Sequence, residues 1–223
     1  MYKYLSLAIF ILIVTVCHQT LDAQQGTDEI HSLPKDKGMD TAFFWEVMDN
    51  AFVKGGFNNK VREQTILEQL VKLTPAQIQR FEIIFQQMNL KASTWGNFAA
   101  QTVMEGGSSD DRFYYFRCWL ISLGKKNFEE TIRNPDYLAS LNIPVNKKYG
   151  VSYCQFEELI HMADNAYEIV TKRDPSSDTS FPRSHALKLG LFYDSNTEMS
   201  GVEWKEKELP KKIPLLCKKY TFK

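Results

Sequence analysis

A helix-capping residue followed by an apolar stripe of helical period recurs along the chain from Asp40 to about residue 170. Thr74-Pro75 is a clear example, because threonine accepts hydrogen bonds from the first amides of a helix and proline suits its first position. The stripe that follows consists of Ile78, Phe81, Phe85 and Met88. No segment alternates apolar and polar residues as a half-buried strand does. The pattern predicts an all-α fold.

Caps and helix breakers divide the chain into successive helices. The helices predicted in this way are residues 41–53 after Asp40, 60–73 after Asn58 or Asn59, a helix from Pro75, residues 95–105 after Thr94, a helix that begins after Ser108 or Ser109, and residues 125–133, 135–141 and 152–173. The chain has no internal repeat at a period typical of solenoids. We therefore predict a single irregular or orthogonal bundle of about seven helices, preceded by a signal peptide.

The amino terminus predicts export. A lysine at position 3 is followed by an apolar run from Tyr4 to Cys17 and by a polar stretch that ends in Ala23, which is typical of a secretory signal peptide. The run of ~14 residues is shorter than the ~20 residues that span a hydrocarbon core. We expect residues 1–23 to be removed, the mature chain to have no transmembrane segment, and the protein to reach the periplasm, the cell envelope or the medium.

The remainder of the chain is predicted to form three parts. Residues 24–38 lack periodicity and are rich in charge and turn formers, so they are expected to be a flexible spacer. Residues 39–171 carry the helical pattern and are predicted to form one domain. Residues 172–223 are interrupted by Pro210 and Pro214, and we expect a loop-rich carboxyl-terminal extension that packs on the domain.

Four cysteines bear on compartment and stability. Cys17 lies behind Val14-Thr15-Val16, so a lipid anchor at Cys17 is an alternative to simple cleavage of the signal peptide. Removal of the signal peptide leaves Cys118, Cys154 and Cys217. Because this number is odd, a disulfide framework is not predicted, although one pair remains open.

Charge balance and absent motifs exclude several functional classes. The 27 basic side chains are matched by 27 acidic ones, whereas nucleic-acid binding usually requires a basic excess or stripe. The chain carries no G-x-S-x-G elbow, Walker loop, H-E-x-x-H or paired C-x-x-C motif. The sequence therefore predicts no nucleic-acid partner and no cofactor.

The densest part of the sequence is EGGSSDDRFYYFRCWLISLG, residues 105–124. Gly106-Gly107 suits the left-handed end of one helix, and a serine after it suits the start of the next. Asp110 and Asp111 then lie in the first turn, where the helix dipole stabilises each carboxylate by roughly 0.3–1 kcal/mol. A helix start accounts for this cluster without a ligand.

Arg117 is not explained by a helix start, because it lies at the edge of the apolar stripe of its helix. A cation in that position requires a partner. Asp110 is about 10 Å away along the helix axis, too far for an easy direct contact. Two interpretations remain: Arg117 pairs with an acid on another helix, or Asp110 and Arg117 flank a cleft that holds a polar ligand.

Three further patterns identify a resemblance. They are WG at 95–96, GGSSDDRFYYFRCWLISLGKKNFE at 106–129 and PDYLA at 135–139. In this order they resemble an uncharacterised bacterial family, domain of unknown function 4240 (DUF4240). The resemblance covers roughly residues 40–170 and implies a shared fold, but it implies no mechanism. Ser108, where relatives often carry cysteine, and Cys118, where they often carry glycine, depart from the family pattern.

A polar line in the predicted helix 152–173 has the spacing of a metal site. Glu157, His161 and Asp164 are spaced by four and three residues, as metal ligands in helical bundles are. A second helix that carries a histidine is missing, so a solvated helix face is the simpler interpretation. We predict no metal site.

The leading functional hypothesis is an exported, non-catalytic module that binds a protein or an envelope component. Its predicted surface contains Asp110, Asp111 and Arg117, and the further candidate binding residues are Tyr114, Trp95 and Trp119. One alternative is a hydrolase-type enzyme in which Asp110 or Asp111 is the base and Arg117 binds an anionic substrate. Another is that the aspartates and the arginine serve only the fold.

Overall fold

The computed structural model describes residues 39–174, 178–191 and 198–220. The predicted signal peptide, Cys17 and the predicted spacer lie outside these ranges. Within them the chain is helical and forms no β-sheet, with isolated bridges at Thr94–Ser200 and Asn146–Val151. The predicted all-α class is confirmed.

Ten α-helices and three short 3-10 helices are present in the part of the chain that the structure describes. The α-helices are α1 (Thr41–Gly55), α2 (Asn59–Leu70), α3 (Pro75–Lys91), α4 (Trp95–Glu105), α5 (Asp110–Ser122), α6 (Lys125–Arg133), α7 (Met162–Thr171), α8 (Pro182–Lys188), α9 (Leu209–Lys212) and α10 (Pro214–Lys219). The 3-10 helices are Pro135–Ser140, Glu157–His161 and Glu206–Glu208.

Local capping explains where the first five helices begin. Thr74 and Gln77 form a reciprocal capping box at the start of α3. Of the two alternatives at α2, Asn58 is the cap, and at α5 the cap is Ser109, whose hydroxyl accepts a hydrogen bond from the Arg112 amide at 3.4 Å. The predicted caps Asp40 and Thr94 are confirmed at α1 and α4.

The core is built around α3, which packs against α5, α7 and α8. Ile78, Phe81, Ile84 and Phe85 of this helix are buried. The stripe predicted from its period is therefore confirmed for Ile78, Phe81 and Phe85, while Met88 is only partly buried. Polar side chains of α3 are buried as well, because other helices cover it on several sides.

The structure corrects the prediction of one helix over residues 152–173. Residues 152–156 are extended, Glu157–His161 is a 3-10 helix, and α7 begins only at Met162. The apolar stripe was consistent with a helix, but hydrogen bonds to distant elements override it here. The alternate amides of the extended part donate to α4 and α5: Ser152 to the Met104 carbonyl (2.8 Å), Cys154 to the Glu105 carboxylate (2.9 Å) and Phe156 to the Tyr115 carbonyl (3.1 Å).

The carboxyl-terminal residues contact the helices before them at specific points. The Asp136 carboxylate accepts hydrogen bonds from the Leu215 and Leu216 amides at 3.0 and 2.8 Å, so it caps α10 from another element. The indole nitrogen of Trp204 donates to the Trp95 carbonyl at 2.7 Å. Side-chain and backbone bonds thus hold the end of the chain against α4 and the 3-10 helix Pro135–Ser140.

Among the described residues, no helix has both the length and the apolar character needed to cross a bilayer.

Replacement of Asp136 by alanine should lower the free energy of unfolding by about 1–3 kcal/mol, because two amides of α10 lose a buried acceptor. Urea unfolding measures this loss, and limited proteolysis should cut the carboxyl-terminal residues earlier than in the wild type. Asp136→Asn keeps one acceptor oxygen and should lose less. Equal stability of all three proteins would contradict the capping role.

Candidate functional site

Asp110 and Asp111 begin α5 and are both exposed. Gly106 ends α4 in the left-handed conformation, with φ 71°, and Ser109 caps the next helix. The two carboxylates lie in the first turn, where the helix dipole favours them. The structure therefore places both aspartates where the helix-start interpretation predicts.

Arg117 does not lie on the surface that Asp110 and Asp111 form, so the prediction of one surface containing all three is wrong for Arg117. The arginine is 0% exposed, because α3 covers this side of α5. Its Nη1 donates to the Asn89 carbonyl at 3.3 Å. The guanidinium carbon lies 5.0 Å from the ring centre of Phe113 and 5.2 Å from that of Tyr114, within the range of cation–π attraction.

In the hydrolase alternative Asp110 or Asp111 is the base and Arg117 binds the anionic substrate, so both groups should open onto one water-filled pocket. Because Arg117 is fully buried and the aspartates are exposed, the two groups cannot bind one substrate in this conformation. The geometry supports the alternative in which Arg117 pairs with a group on another helix, and a carbonyl of α3, that of Asn89, accepts its hydrogen bond.

A buried polar interface joins α3 to α5, and sequence reasoning missed its α3 half. Glu82, Gln86 and Asn89 are buried and follow one stripe of α3 at spacings of four and three. Gln86 Nε2 donates to Glu82 at 2.7 Å, and Asn89 Nδ2 lies 3.5 Å from the Cys118 sulfur. A polar stripe of helical period inside a helix that is otherwise apolar was the signal that could have found this interface.

Burial changes the acid–base properties of this α3–α5 interface. Desolvation raises the pKa of Glu82 to about 7, an effect that the Gln86 hydrogen bond opposes. Desolvation likewise raises the pKa of the Cys118 thiol to about 12, and it raises the pKa of Tyr114. The thiol is therefore protonated near neutral pH and is a poor nucleophile. The interface stabilises the core and offers no reactive thiolate.

The Glu105 carboxylate is a second buried acid that sequence reasoning did not single out. Its side chain is fully buried and accepts four hydrogen bonds. The donors are the Arg112 guanidinium, the Gln101 and Gln155 side-chain amides (each 3.0 Å) and the Cys154 backbone amide (2.9 Å). Three of these bonds end on Oε2 and one on Oε1, and together they join α4, α5 and the extended residues 152–156.

The two departures from the family pattern both make interior contacts. The Ser108 hydroxyl donates to the side-chain carbonyl of Gln101, which also binds Glu105. Cys118 is buried and unpaired, as are Cys154 and Cys217. The structure therefore contains no disulfide among the described cysteines.

Trp95 makes its contacts within the chain. Its ring meets the rings of Phe98 and Trp204 edge-on, with ring centres 6.0 and 6.4 Å apart, and its carbonyl accepts the Trp204 indole hydrogen bond. A candidate binding residue is thus occupied by the carboxyl-terminal part of the same chain.

The weak metal candidates are not brought together. The Glu157 carboxylate accepts a hydrogen bond from the Tyr115 hydroxyl at 3.1 Å, and Asp164 accepts one from the Arg183 amide at 3.1 Å. The change from 3-10 helix to α-helix at Met162 disrupts the spacing that a continuous helix would have had. Over the described ranges, no group of three or more His, Cys, Asp or Glu is arranged to hold a metal ion.

A groove of about 290 Å³ lies beside α5, and the candidate residue Trp119 lines it. We call it the Trp119 groove and define it by Phe57, Trp119, Ile143, Pro144, Val145, Asn146 and Tyr153. Trp119 is 2% exposed and stacks on Phe57 with ring centres 6.4 Å apart. Val145 and Tyr153 are 37% and 68% exposed, so apolar and aromatic surface is open to solvent here.

The loop that borders the Trp119 groove is held by Asn146. Its backbone amide donates to the Val151 carbonyl at 2.8 Å, and its side-chain oxygen accepts from the Lys148 amide at 3.0 Å. A wider depression elsewhere is lined by Val202, Glu203, Lys207, Glu208, Lys211 and Lys212. That depression lacks an aromatic wall, so the Trp119 groove is the better candidate for a binding site.

Comparison with known proteins supports the resemblance inferred from the sequence motifs. The model of a family described as "Protein of unknown function (DUF4240)" matches residues 39–169. The match includes the segment of residues 105–124 and every residue that lines the Trp119 groove. Comparisons with curated proteins and with solved structures found no match.

Glu82→Gln should stabilise the protein more at high pH than at low pH. The pKa of Glu82 is about 7 in the folded chain against a usual value of 4.5, so the unfolded chain loses this proton first. The wild type should therefore lose stability from about pH 5 to about pH 8, whereas the variant lacks this contribution.

Thermal unfolding across this pH range measures the effect as a difference in Tm between the two proteins. Glu129→Gln, on an exposed position of α6, is the matched control and should show no such trend. A Glu82→Gln difference that stays constant with pH would contradict the buried, proton-binding state of Glu82.

Proposed function

We propose that this chain, which belongs to the DUF4240 family of proteins of unknown function, is a non-catalytic module that binds a partner protein through the Trp119 groove. The observation that carries the proposal is the exposed aromatic and aliphatic surface of Tyr153 and Val145 beside the buried Trp119. Concave apolar surface with aromatic side chains is typical of binding sites, and Trp and Tyr are frequent binding hot spots.

The chemistry of the lining supports binding over acid–base catalysis at this groove. The polar side-chain groups of its described lining are the Tyr153 hydroxyl, the Asn146 amide and the Trp119 indole N–H. Among the residues that the structure describes, the lining contains no carboxylate, imidazole, ammonium or thiol group that could transfer a proton near neutral pH. The groove suits an apolar side chain of a partner, which would contact the exposed surface of Val145 and Tyr153.

The free energy that this groove can contribute to binding is limited. Full burial of one apolar side chain is worth about 1.5–3 kcal/mol, and association itself has an entropic cost. A partner that inserts one such side chain would therefore bind weakly unless further contacts contribute. The groove supports a modest, reversible interaction, and removal of one aromatic side chain from its wall should change the affinity measurably.

Asp110, Asp111 and Arg117 have structural roles in this proposal. The aspartates stabilise the start of α5 from the solvent side, and the arginine fills the space between α3 and α5. The alternative in which these residues serve only the fold is supported by the burial of Arg117 and by the Ser109 cap.

The proposed place of action is outside the cytoplasm, in the periplasm, the cell envelope or the medium. The support is the apolar run from Tyr4 to Cys17 behind a basic residue, followed by a small residue at Ala23. The proposed partner is then an exported or envelope protein.

Tyr153→Ala should weaken partner binding about tenfold, because a hot-spot aromatic is removed while the fold is unaffected. Short random peptides displayed on phage provide the probe, and titration of the selected peptides measures the affinity. The expected result is enrichment of peptides that carry an apolar side chain, with affinity that depends on Tyr153.

Tyr149→Ala is the matched control, because Tyr149 is 60% exposed on the same loop but does not line the groove. Its affinity for the selected peptides should stay within about twofold of the wild type. Failure to enrich any peptide, or equal losses in the two variants, would refute the proposed site.

The export proposal has its own measurement. Expression of the full chain in a bacterial host should yield a product outside the cytoplasm whose amino terminus is Gln24, as read by intact mass and terminal sequencing. Cytoplasmic protein that retains residues 1–23 would refute export. A product acylated at Cys17 would refute the cleavage site and support the lipid-anchor alternative.

A further inference from the structure

We infer that residues 178–191 form a pH-sensitive strap, which stays docked on α3 and α7 while the Glu82 carboxyl is protonated and is released when that carboxyl ionises. The strap contains α8 and lies beyond residues 39–169, the part of the chain that the family model matches. No residue of the strap belongs to the described lining of the Trp119 groove, so this switch is separate from the proposed binding site.

Polar contacts from α3 and α7 hold the first half of the strap. The Gln79 side-chain amide donates to the Ser180 carbonyl at 2.6 Å, and the hydroxyls of Tyr167 and Ser180 are 3.0 Å apart. The Asp164 carboxylate accepts a hydrogen bond from the Arg183 amide at 3.1 Å. The cap residue of α8 itself makes no side-chain hydrogen bond, so the start of this helix depends on docking.

The helix of the strap is too short to be stable alone. It has seven residues, whereas isolated helices shorter than about 12–15 residues are marginal in water. Its stability therefore comes from packing against α3 and α7. Phe181, Ala186 and Leu191 are buried, and the Phe181 ring centre lies 5.0 Å from that of Tyr167. Because a few apolar side chains dock this short helix, its release is a local event that leaves the other helices folded.

Glu82 is a buried acid on the face of α3 that the strap covers. It lies three residues after Gln79, whose side chain bonds to the strap, so the two side chains are neighbours on the helix surface. Glu82 is 1% exposed and accepts a hydrogen bond from the Gln86 amide at 2.7 Å. It forms no ion pair with a described residue. Since a buried carboxylate without an ion pair is costly, docking favours the protonated acid.

Desolvation is the main reason that the pKa of Glu82 is raised to about 7. The other helices around it contribute weaker effects. Asp164 of α7 opposes ionisation of Glu82, whereas Arg183 of α8 favours it. On α5, Tyr114 and Cys118 are neutral near pH 7, because desolvation raises the pKa of both side chains. The charge of Glu82 is therefore the one in this cluster that changes near neutral pH.

The direction of the pH effect follows from the two states of Glu82. Water reaches the carboxyl when the strap is released, which returns its pKa toward the usual value of 4.5. Below about pH 5 the acid is protonated in both states. From about pH 5 to about pH 8 the released state holds less of the proton, so release becomes more favourable as pH rises, and above that range the effect is constant. The strap therefore loosens as pH rises through neutrality.

Backbone hydrogen exchange, followed residue by residue by NMR, measures the release. The His185 and Leu191 amides donate to carbonyls within the strap at 2.8 and 3.0 Å, so they exchange when α8 opens. After correction for the intrinsic exchange rate, their protection should fall about tenfold between about pH 5.5 and about pH 8. Constant protection in the wild type would overturn the inference.

Urea separates release of the strap from unfolding of the whole chain. The Phe128 amide of α6, which donates to the Gly124 carbonyl at 3.0 Å, reports on global unfolding. The strap amides should exchange at least about tenfold faster than that of Phe128 and respond weakly to low urea concentrations, because local release exposes little surface. Equal protection and equal urea dependence at both places would mean that α8 opens only with the rest of the chain, which contradicts a strap.

Glu82→Gln imitates the protonated acid and should keep the strap amides equally protected across this pH range. Glu129→Gln, at an exposed position of α6, is the matched control and should keep the fall in protection. Histidines ordinarily titrate in this range, so His161→Gln and His185→Gln are further controls and should also keep it. Loss of the fall in either histidine variant, or its persistence in Glu82→Gln, would assign the pH response to another group and refute the switch.

Arg183→Gln tests whether the docked strap faces Glu82. The variant keeps the backbone amide whose hydrogen bond Asp164 accepts, but it removes the cation that favours ionised Glu82 in the docked state. The fall in protection of the strap amides should therefore become larger and extend to higher pH. An unchanged or smaller fall would mean that Arg183 does not face Glu82 in the docked state, and the strap would then not be coupled to this carboxyl.

Discussion

The buried carboxylate of Glu105 is the interaction on which the candidate site depends. A charge in the interior is stable only when its acceptor positions are satisfied, and here Arg112, Gln101, Gln155 and the Cys154 amide supply the hydrogen bonds. Two of these donors belong to the extended residues 152–156. The same carboxylate therefore joins α4 to α5 and holds Tyr153 at the edge of the groove.

A related constraint acts where α5 packs on α3. Glu82, Gln86 and Asn89 are buried beside Arg117 and Cys118, so α5 carries polar contacts on its interior face as well as aspartates at its exposed start. The spacing of an aspartate and an arginine two turns apart on one helix predicts one shared surface. The aspartate is exposed and the arginine is buried because α3 covers the face of α5 that carries Arg117.

Part of the candidate site was predictable from the sequence. Trp119 is predicted as a candidate binding residue because an aromatic side chain can line a groove, and it lies in the wall of the Trp119 groove although it is almost fully buried. Tyr153 was assigned to the apolar helix 152–173 instead, because its neighbours have helical period. Trp95 is a candidate for the same reason as Trp119, and Arg117 is one because a cation at the edge of an apolar stripe requires a partner, but contacts with Trp204 and Asn89 occupy them. Residue type alone does not distinguish an open aromatic from one covered by a distant segment.

The helical class and the starts of the first five helices are set by sequence, because a cap such as Ser109 or Thr74 bonds to an amide only three residues away. Groups only three residues apart form this hydrogen bond without help from tertiary contacts. The extended state of residues 152–156 is decided only in the folded chain, since its partners Met104, Glu105 and Tyr115 lie about forty to fifty residues earlier. Those hydrogen bonds exist only after α4 and α5 have packed, and they outweigh the local preference for helix.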